Sequence, residues 1–224
     1  MRIKELKLFT DNLTKQKKFY SDILGLEIIN GDKNLFSVNI GSSNLSFINN
    51  NTCNNPYYHF AINIPENQIE IATGWLKNKD IPLIAHENSE IIHFPGWNAH
   101  SVYFYDPAGN IIEFIARHNL PNKLDFPFDA SKMQCISEVG IPVENVGLFC
   151  KSLKDKFREK LWSGNYKAFA AMGDENGLFI VVTPNRNWYP TDKPSTPYPL
   201  EVKLDYYQKK KTEMNYEVYK ISAL

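Results

Sequence analysis

The chain has 224 residues, and its 25 Lys plus Arg balance its 25 Asp plus Glu. That balance excludes a global electrostatic field that would draw in nucleic acid or an anionic membrane, so recognition falls to local pockets. With 43% hydrophobic and 13% aromatic residues, the chain can bury the core of one large domain or two small ones.

The three cysteines, Cys53, Cys135 and Cys150, are odd in number and lack paired spacing, against both a disulfide framework and a zinc knuckle. They read as reduced packing residues with no base spaced to activate them. Met1 leads into alternating charged and apolar residues, and no later apolar segment has bilayer-spanning length. The expectation is a soluble, unprocessed, cytoplasmic protein with no membrane partner.

In chain order, MRIKELKLFT alternates as a strand, with Ile3, Glu5, Lys7 and Phe9 on one face. Asn12 or Thr14 caps a helix carrying Leu13, Phe19, Tyr20, Ile23 and Leu24, and Gly25 stops it. Short strands follow from Leu26, Leu35 and Asn44. Residues 49–56 read as a linker, after which the pattern restarts. A strand from Tyr57 precedes a helix with Ile69, Ala72, Trp75 and Leu76, then IPLIA, EIIHF, HSVYFY and IIEFIA as strand candidates. Both units therefore read β, α, then several strands.

Sliding one unit over the other places Glu5 on His59 and Ser46 on Glu113, an internal repeat of about fifty residues. Such a unit leaves a curved sheet open, and two can close it into a cleft. The predicted class is α+β, with paired βαβββ modules at 1–50 and 56–118 in one domain. Residues 119–134 read as a linker, and 135–224 as a third, divergent unit with a polar tail. In that unit Glu138 falls at the place of Glu5 and His59, without a matching histidine. GDENG turns a hairpin, and NRNWYPTDKPSTPYP is a proline-rich surface excursion. An odd unit either packs as an accessory layer or completes a barrel with a second chain, which gives the expectation of a homodimer.

Glu113 is a carboxylate among apolar residues, and a buried carboxylate requires a cation or a hydrogen-bonded mate. If the repeat holds, Glu5 and His59 converge on it, and one imidazole with two carboxylates suits Fe2+, Mn2+, Co2+, Ni2+ or Zn2+. The plainer alternatives are a solvated Glu5 beside Lys4 and Lys7, a core histidine at His59, and a salt bridge from Glu113 to Arg117.

The stretches ELKLFTDNLTKQKKFYSDILGLE and SVYFYDPAGNIIEFIAR resemble the opening and closing elements of vicinal oxygen chelate modules, over about residues 1 to 117. That superfamily includes glyoxalases, extradiol dioxygenases, fosfomycin-resistance transferases and bleomycin-resistance proteins. The resemblance implies a metal site of Glu5, His59 and Glu113. Dioxygenases and fosfomycin-resistance proteins put histidine where this chain has Glu5; glyoxalases use histidine or glutamine there and add a carboxylate at the place of Ser46. Neither pattern is complete. The resemblance also turns Ser101 and Tyr103 toward the cleft, where Ser101, Phe9 and Ser46 are the expected substrate-binding residues, and Tyr103 and His93 the expected proton-transfer groups. By alternation His100 points to the opposite face. The expected function is a metal-dependent enzyme, a dioxygenase or a lyase or isomerase, acting on a small oxygen-rich or phenolic substrate. The alternative is a non-catalytic binding protein of the bleomycin-resistance kind.

Overall fold

The computed structural model describes residues 1–49, 54–205 and 211–223; Cys53 lies outside them. The first unit comprises β1 (Ile3–Thr10), α1 (Leu13–Lys18), β2 (Ile28–Gly31), β3 (Leu35–Ile40) and β4 (Ser43–Asn49). On β1, Leu6 and Leu8 are fully buried while Glu5 and Lys7 keep partial exposure, the alternation of a strand with one wet face. α1 runs on into a π-helical turn, Phe19–Ile23, and the chain reverses at Gly25, whose φ of 78° favours glycine.

The second unit comprises β5 (His59–Ile64), α2 (Ile69–Lys77), β6 (Leu83–Ile84), β7 (Ile91–Phe94), β8 (Ala99–Tyr105) and β9 (Ile111–Arg117). The third comprises β10 (Cys135–Pro142), α3 (Val146–Phe157), β11 (Leu161–Gly164), β12 (Phe169–Asp174) and β13 (Gly177–Val182). The Asn145 side chain accepts from the Leu148 amide at 2.9 Å and caps α3. GDENG does turn a hairpin, between β12 and β13.

Two readings of the C-terminal third are corrected. The polar tail folds as strands: β14 (Leu200–Leu204), β15 (Thr212–Tyr216) and β16 (Tyr219–Ala223) pair with one another and bury Met214, Tyr219 and Ile221 on one face. The other face is polar, which is why the stretch reads as solvent-exposed. The proline-rich segment is also more than a surface excursion, since Trp188 and Ser195 within it are buried. Residues 119–134 carry buried Phe128 and Met133 and are tied down where the Gln68 amide donates to the Leu124 carbonyl at 3.0 Å.

Paired βαβββ units build the fold, as expected, but the partners differ from the expected ones. β1 hydrogen-bonds β14 in a seven-stranded sheet, β15-β16-β14-β1-β4-β3-β2. β5 hydrogen-bonds β10, antiparallel, in a nine-stranded sheet, β11-β12-β13-β10-β5-β9-β8-β6, with β7 also on β8. Units one and two therefore lie in different sheets. β14, β15 and β16 supply the half-unit that unit one needs, so an odd unit no longer argues for a second chain.

One core cluster draws apolar side chains from both sheets. Units one and two are also joined by a polar clamp at the turn between β8 and β9. The buried Asp106 carboxylate accepts from Gln16 Nε2 at 2.6 Å, Tyr20 Oη at 2.9 Å and Asn110 Nδ2 at 2.7 Å. Its other oxygen accepts the Ala108 and Asn110 amides at 3.0 Å, closing the turn. Asp106→Ala strands several buried donors at once and is expected to cost about 3 kcal/mol or more. Urea denaturation checks this; a loss below about 1 kcal/mol would mean that water replaces the carboxylate without penalty.

Candidate metal centre

The centre is built on the face of the nine-stranded sheet turned away from the main core. On β5 the alternation sends Phe60, Ile62 and Ile64 into that core and leaves His59, Ala61 and Asn63 on the opposite face. On β9 the same rule places Ile111, Glu113, Ile115 and Arg117 on that opposite face. β10 carries a register shift between Ile136 and Glu138, a bulge that returns Glu138 to the His59 side while Val139 and Ile141 remain in the core. Ala61 then lies between the two carboxylates, opposite Glu113 on one side and Glu138 on the other. Its small side chain leaves the space above it open.

His59, Glu113 and Glu138 are all buried, and one ligand atom from each lies within 4.8 Å of the others. His59 Nδ1 lies 3.2 Å from the Ile111 carbonyl, the donor position that leaves Nε2 as the free lone pair, and Nε2 lies 3.7 Å from Glu113 Oε2. A backbone carbonyl behind one ring nitrogen is the usual support of a ligating histidine. Ser101 Oγ donates to Glu113 Oε1 at 2.6 Å, and Arg117, buried at 0% exposure, forms an ion pair with Glu138. Arg117 Nε also donates to Asn63 Oδ1 at 3.2 Å, while its Nη1 is buried without a partner.

The electrostatics of the metal-free site follow from burial. Desolvation first, then the neighbouring Glu138, raises the Glu113 carboxyl to about 8, against the opposing pull of Ser101 and Arg117. Glu138 is raised too, by burial, with Arg117 opposing. Burial lowers His59 to about 4. Near pH 7 the His59 to Glu113 contact is therefore a neutral imidazole facing a largely protonated carboxyl, not an ion pair. Tyr103 is pushed well above the ordinary phenol value by burial and by Glu113 and Glu138, so it keeps its proton.

A divalent cation fits this donor set. Ligands about 2.1 Å from a cation sit roughly 3 to 4 Å apart, close to the spacing found here. Once Glu113 gives up its proton, two carboxylates share a single guanidinium, and a cation supplies the missing positive charge.

The site differs from the expected one in named ways. His59 and Glu113 come together as expected; Glu5 does not join them. Glu5 lies in the other sheet, 3.4 Å from Lys203, and Glu138 takes the third position. Glu138 stands at the place of Glu5 in the repeat, so the overlay contained the residue, and what was missing was which units pair. Arg117 does form a salt bridge, but with Glu138. The register also identifies the fourth position: Glu113 lies opposite the residue two after His59, and the equivalent partner of the residue two after Glu138, Gly140, is Ile180. An apolar side chain fills it, so Ser46 is not the missing ligand. Ser46 pairs its hydroxyl with Ser37 at 2.7 Å and, with Phe9, belongs to the other sheet. His93 does not reach the cleft: its neighbour Phe94 lines the cavity, while His93 stacks on His100 at 4.4 Å on the reverse face.

Above the three ligand candidates lies a cavity of about 130 Å3, walled by Tyr103, Trp97, Phe169 and Ile180 and roofed by Arg186 to Tyr189. Trp188 lies 5.2 Å from the His59 ring and packs across Gly140, where an added Cβ would come within 2.5 Å of the indole. Sequence reading missed this roof because its proline and polar content reads as a loop, and only the buried tryptophan hints otherwise.

No protein-family model matches the chain, and no curated protein matches it. Solved structures do. A candidate dioxygenase from Bacillus subtilis superposes with a TM-score of 0.62 at 11% identity, over 100% of this chain and 85% of that one. Two mutants of glyoxalase I from Zea mays superpose at 0.61 and 0.62, each 14% identical over 99% of this chain and 91% and 92% of theirs. The chain has the fold of the vicinal oxygen chelate superfamily. Among the described residues no helix is long and apolar enough to cross a membrane.

Two outcomes are expected. Gly140→Ala evicts Trp188 from its seat, with a red shift of tryptophan emission and about 1–3 kcal/mol lost to overpacking; unchanged emission would mean the roof is not seated as described. The second concerns pH. Because Glu113 and Glu138 are raised in the folded state, the folded chain keeps protons that the unfolded chain releases above about 4.5. The contribution of each to stability is therefore present at low pH and lost as pH climbs, for Glu113 through about 8. His59 acts oppositely, but only between about 4 and 6.5. Chelator-stripped protein should lose melting temperature from pH 6.5 to 8.5, and Glu113→Gln should flatten the slope. A rising wild-type profile in that window would contradict the assignment.

Proposed function

We propose that the chain is a metal-dependent enzyme of the glyoxalase and dioxygenase type, acting on a small oxygen-rich or phenolic substrate held in the Trp188 cavity. The observation that carries this reading is the buried His59, Glu113 and Glu138 triad, open toward a cavity and backed by Ile111, Ser101 and Arg117. Those three side chains would hold the cation. With one imidazole and two carboxylates, the choice falls among Fe2+, Mn2+, Co2+, Ni2+ and Zn2+ rather than soft ions. When bound, such an ion polarises substrate oxygens and stabilises negative charge developing on them.

The remaining roles belong to the chain. Trp188, Trp97 and Phe169 give apolar walls suited to a flat substrate. Tyr103, held protonated, hydrogen-bonds the Glu113 carboxyl at the cleft wall and holds it in place. Ser101 does not line the cavity; it orients Glu113. Glu113, whose proton is held until about pH 8, is the group whose protonation must change when a cation enters.

A second reading, a non-catalytic binding cleft, is favoured by one observation: Arg117 already gives Glu138 an internal counter-charge. Elemental analysis of protein purified without chelators, with melting curves across added divalent ions, separates the two. The enzyme reading expects close to one cation per cleft and a raised melting temperature, both lost in Glu113→Gln and Glu138→Gln. Absence of cation and of any thermal shift would leave the binding reading standing alone.

A further inference from the structure

The reverse face of the same sheet edge gathers three of the chain's five histidines. His93 on β7 and His100 on β8 are directly opposed across the antiparallel ladder, with parallel rings 4.4 Å apart. His118, just past β9, lies with Nε2 2.8 Å from His100 Nδ1, and its own Nδ1 lies 3.2 Å from Glu66 Oε2. Strand alternation separates this cluster from the cleft: Ser101 and Tyr103 face the cavity side, His100 the other.

The hydrogen bonds fix the protons. Ionised Glu66 can only accept, so His118 Nδ1 donates to it; His118 Nε2 then accepts from His100 Nδ1. That leaves the His100 Nε2 lone pair unprotonated, with the ring oriented by a carboxylate acting through an imidazole, the arrangement that supports ligating histidines; burial, with His93 and His118 beside it, holds His100 below the ordinary histidine value and so in the neutral, ligating form. Glu70 on α2 acts electrostatically on His100 as well, so His93, His118, Glu66 and Glu70 are the titratable groups that face it.

We propose that His93 and His100 form a second divalent-cation site on this reverse face, selective for imidazole-seeking ions such as Zn2+, Ni2+ or Cu2+, with His118 and Glu66 as positioning residues behind His100. Exposed His93 supplies the adjustable arm. The parallel rings lie 4.4 Å apart, so rotation of the His93 side chain about its χ angles can turn one nitrogen toward an ion held by His100. Cross-strand opposition supplies the close approach that two residues distant in sequence need to chelate one ion.

The test is zinc titration of chelator-stripped Glu113→Gln protein, followed by calorimetry and by imidazole 15N resonances. This background disables the cleft, so the outcome does not depend on the proposed cleft function. One equivalent should bind, with ring shifts at His93 and His100. Adding His93→Ala and His100→Ala should abolish it, and Glu66→Gln should weaken it about 10–100-fold. Where Glu113→Gln fails to fold, the two alanine substitutions in the otherwise wild-type chain should remove one zinc equivalent and leave cleft binding intact. Binding that is indifferent to these alanines, or shifts at His59 alone, would overturn the proposal.

Discussion

Two carboxylates, Glu113 on β9 and Glu138 on β10, are buried on either side of β5 with a single guanidinium, Arg117, paired to Glu138. Removing such groups from water costs several kcal/mol per ion, and the chain offsets it by three devices. Ser101 donates to Glu113, Arg117 neutralises Glu138, and burial keeps a proton on Glu113 toward pH 8. Each device depends on strand geometry: Ser101 on β8 is one strand from Glu113, Arg117 follows Glu113 by four residues on the same face, and the β10 bulge brings Glu138 to the ladder. The site is a property of the sheet rather than of any one loop.

The same geometry explains why the other sheet carries no equivalent centre among its described residues. There β1 and β14 meet as β5 and β10 do, yet the wet face holds alternating charges, Glu5 with Lys203 and Lys7 with Glu201. These side chains keep about a third of their surface in solvent, so pairing gives little stability and no desolvated carboxylate demands a cation. One pairing scheme thus yields a buried, aromatic-roofed cleft and a solvated charge mesh. The difference lies in burial, supplied by Trp188, Trp97 and Phe169 over the first.

The structure also separates two histidine chemistries. His59 is neutral, with Nε2 directed at carboxylates, whereas His93, His100 and His118 lie at the rim on the reverse face. His93 was expected near the cleft mouth, yet it is the adjoining Phe94 that lines the cavity. A period of two decides against it: on a pleated strand, adjacent residues face opposite sides.

The sequence alone determined most elements of the first three units, because strand alternation, the Gly25 stop and the DPAGN turn are local signals. The approach of His59 to Glu113 was legible too, since repeat position and an isolated carboxylate in an apolar strand are visible without coordinates. The fourth half-unit was hidden because a strand wet on one face has the composition of a tail. Only the tertiary structure decided which units pair, and with that it exchanged Glu5 for Glu138 and Ser46 for Ile180. The physical reason is that sheet pairing joins strands far apart in sequence through backbone hydrogen bonds, which every residue but proline can make. Side-chain patterns therefore say that a strand needs a partner without saying which one it takes.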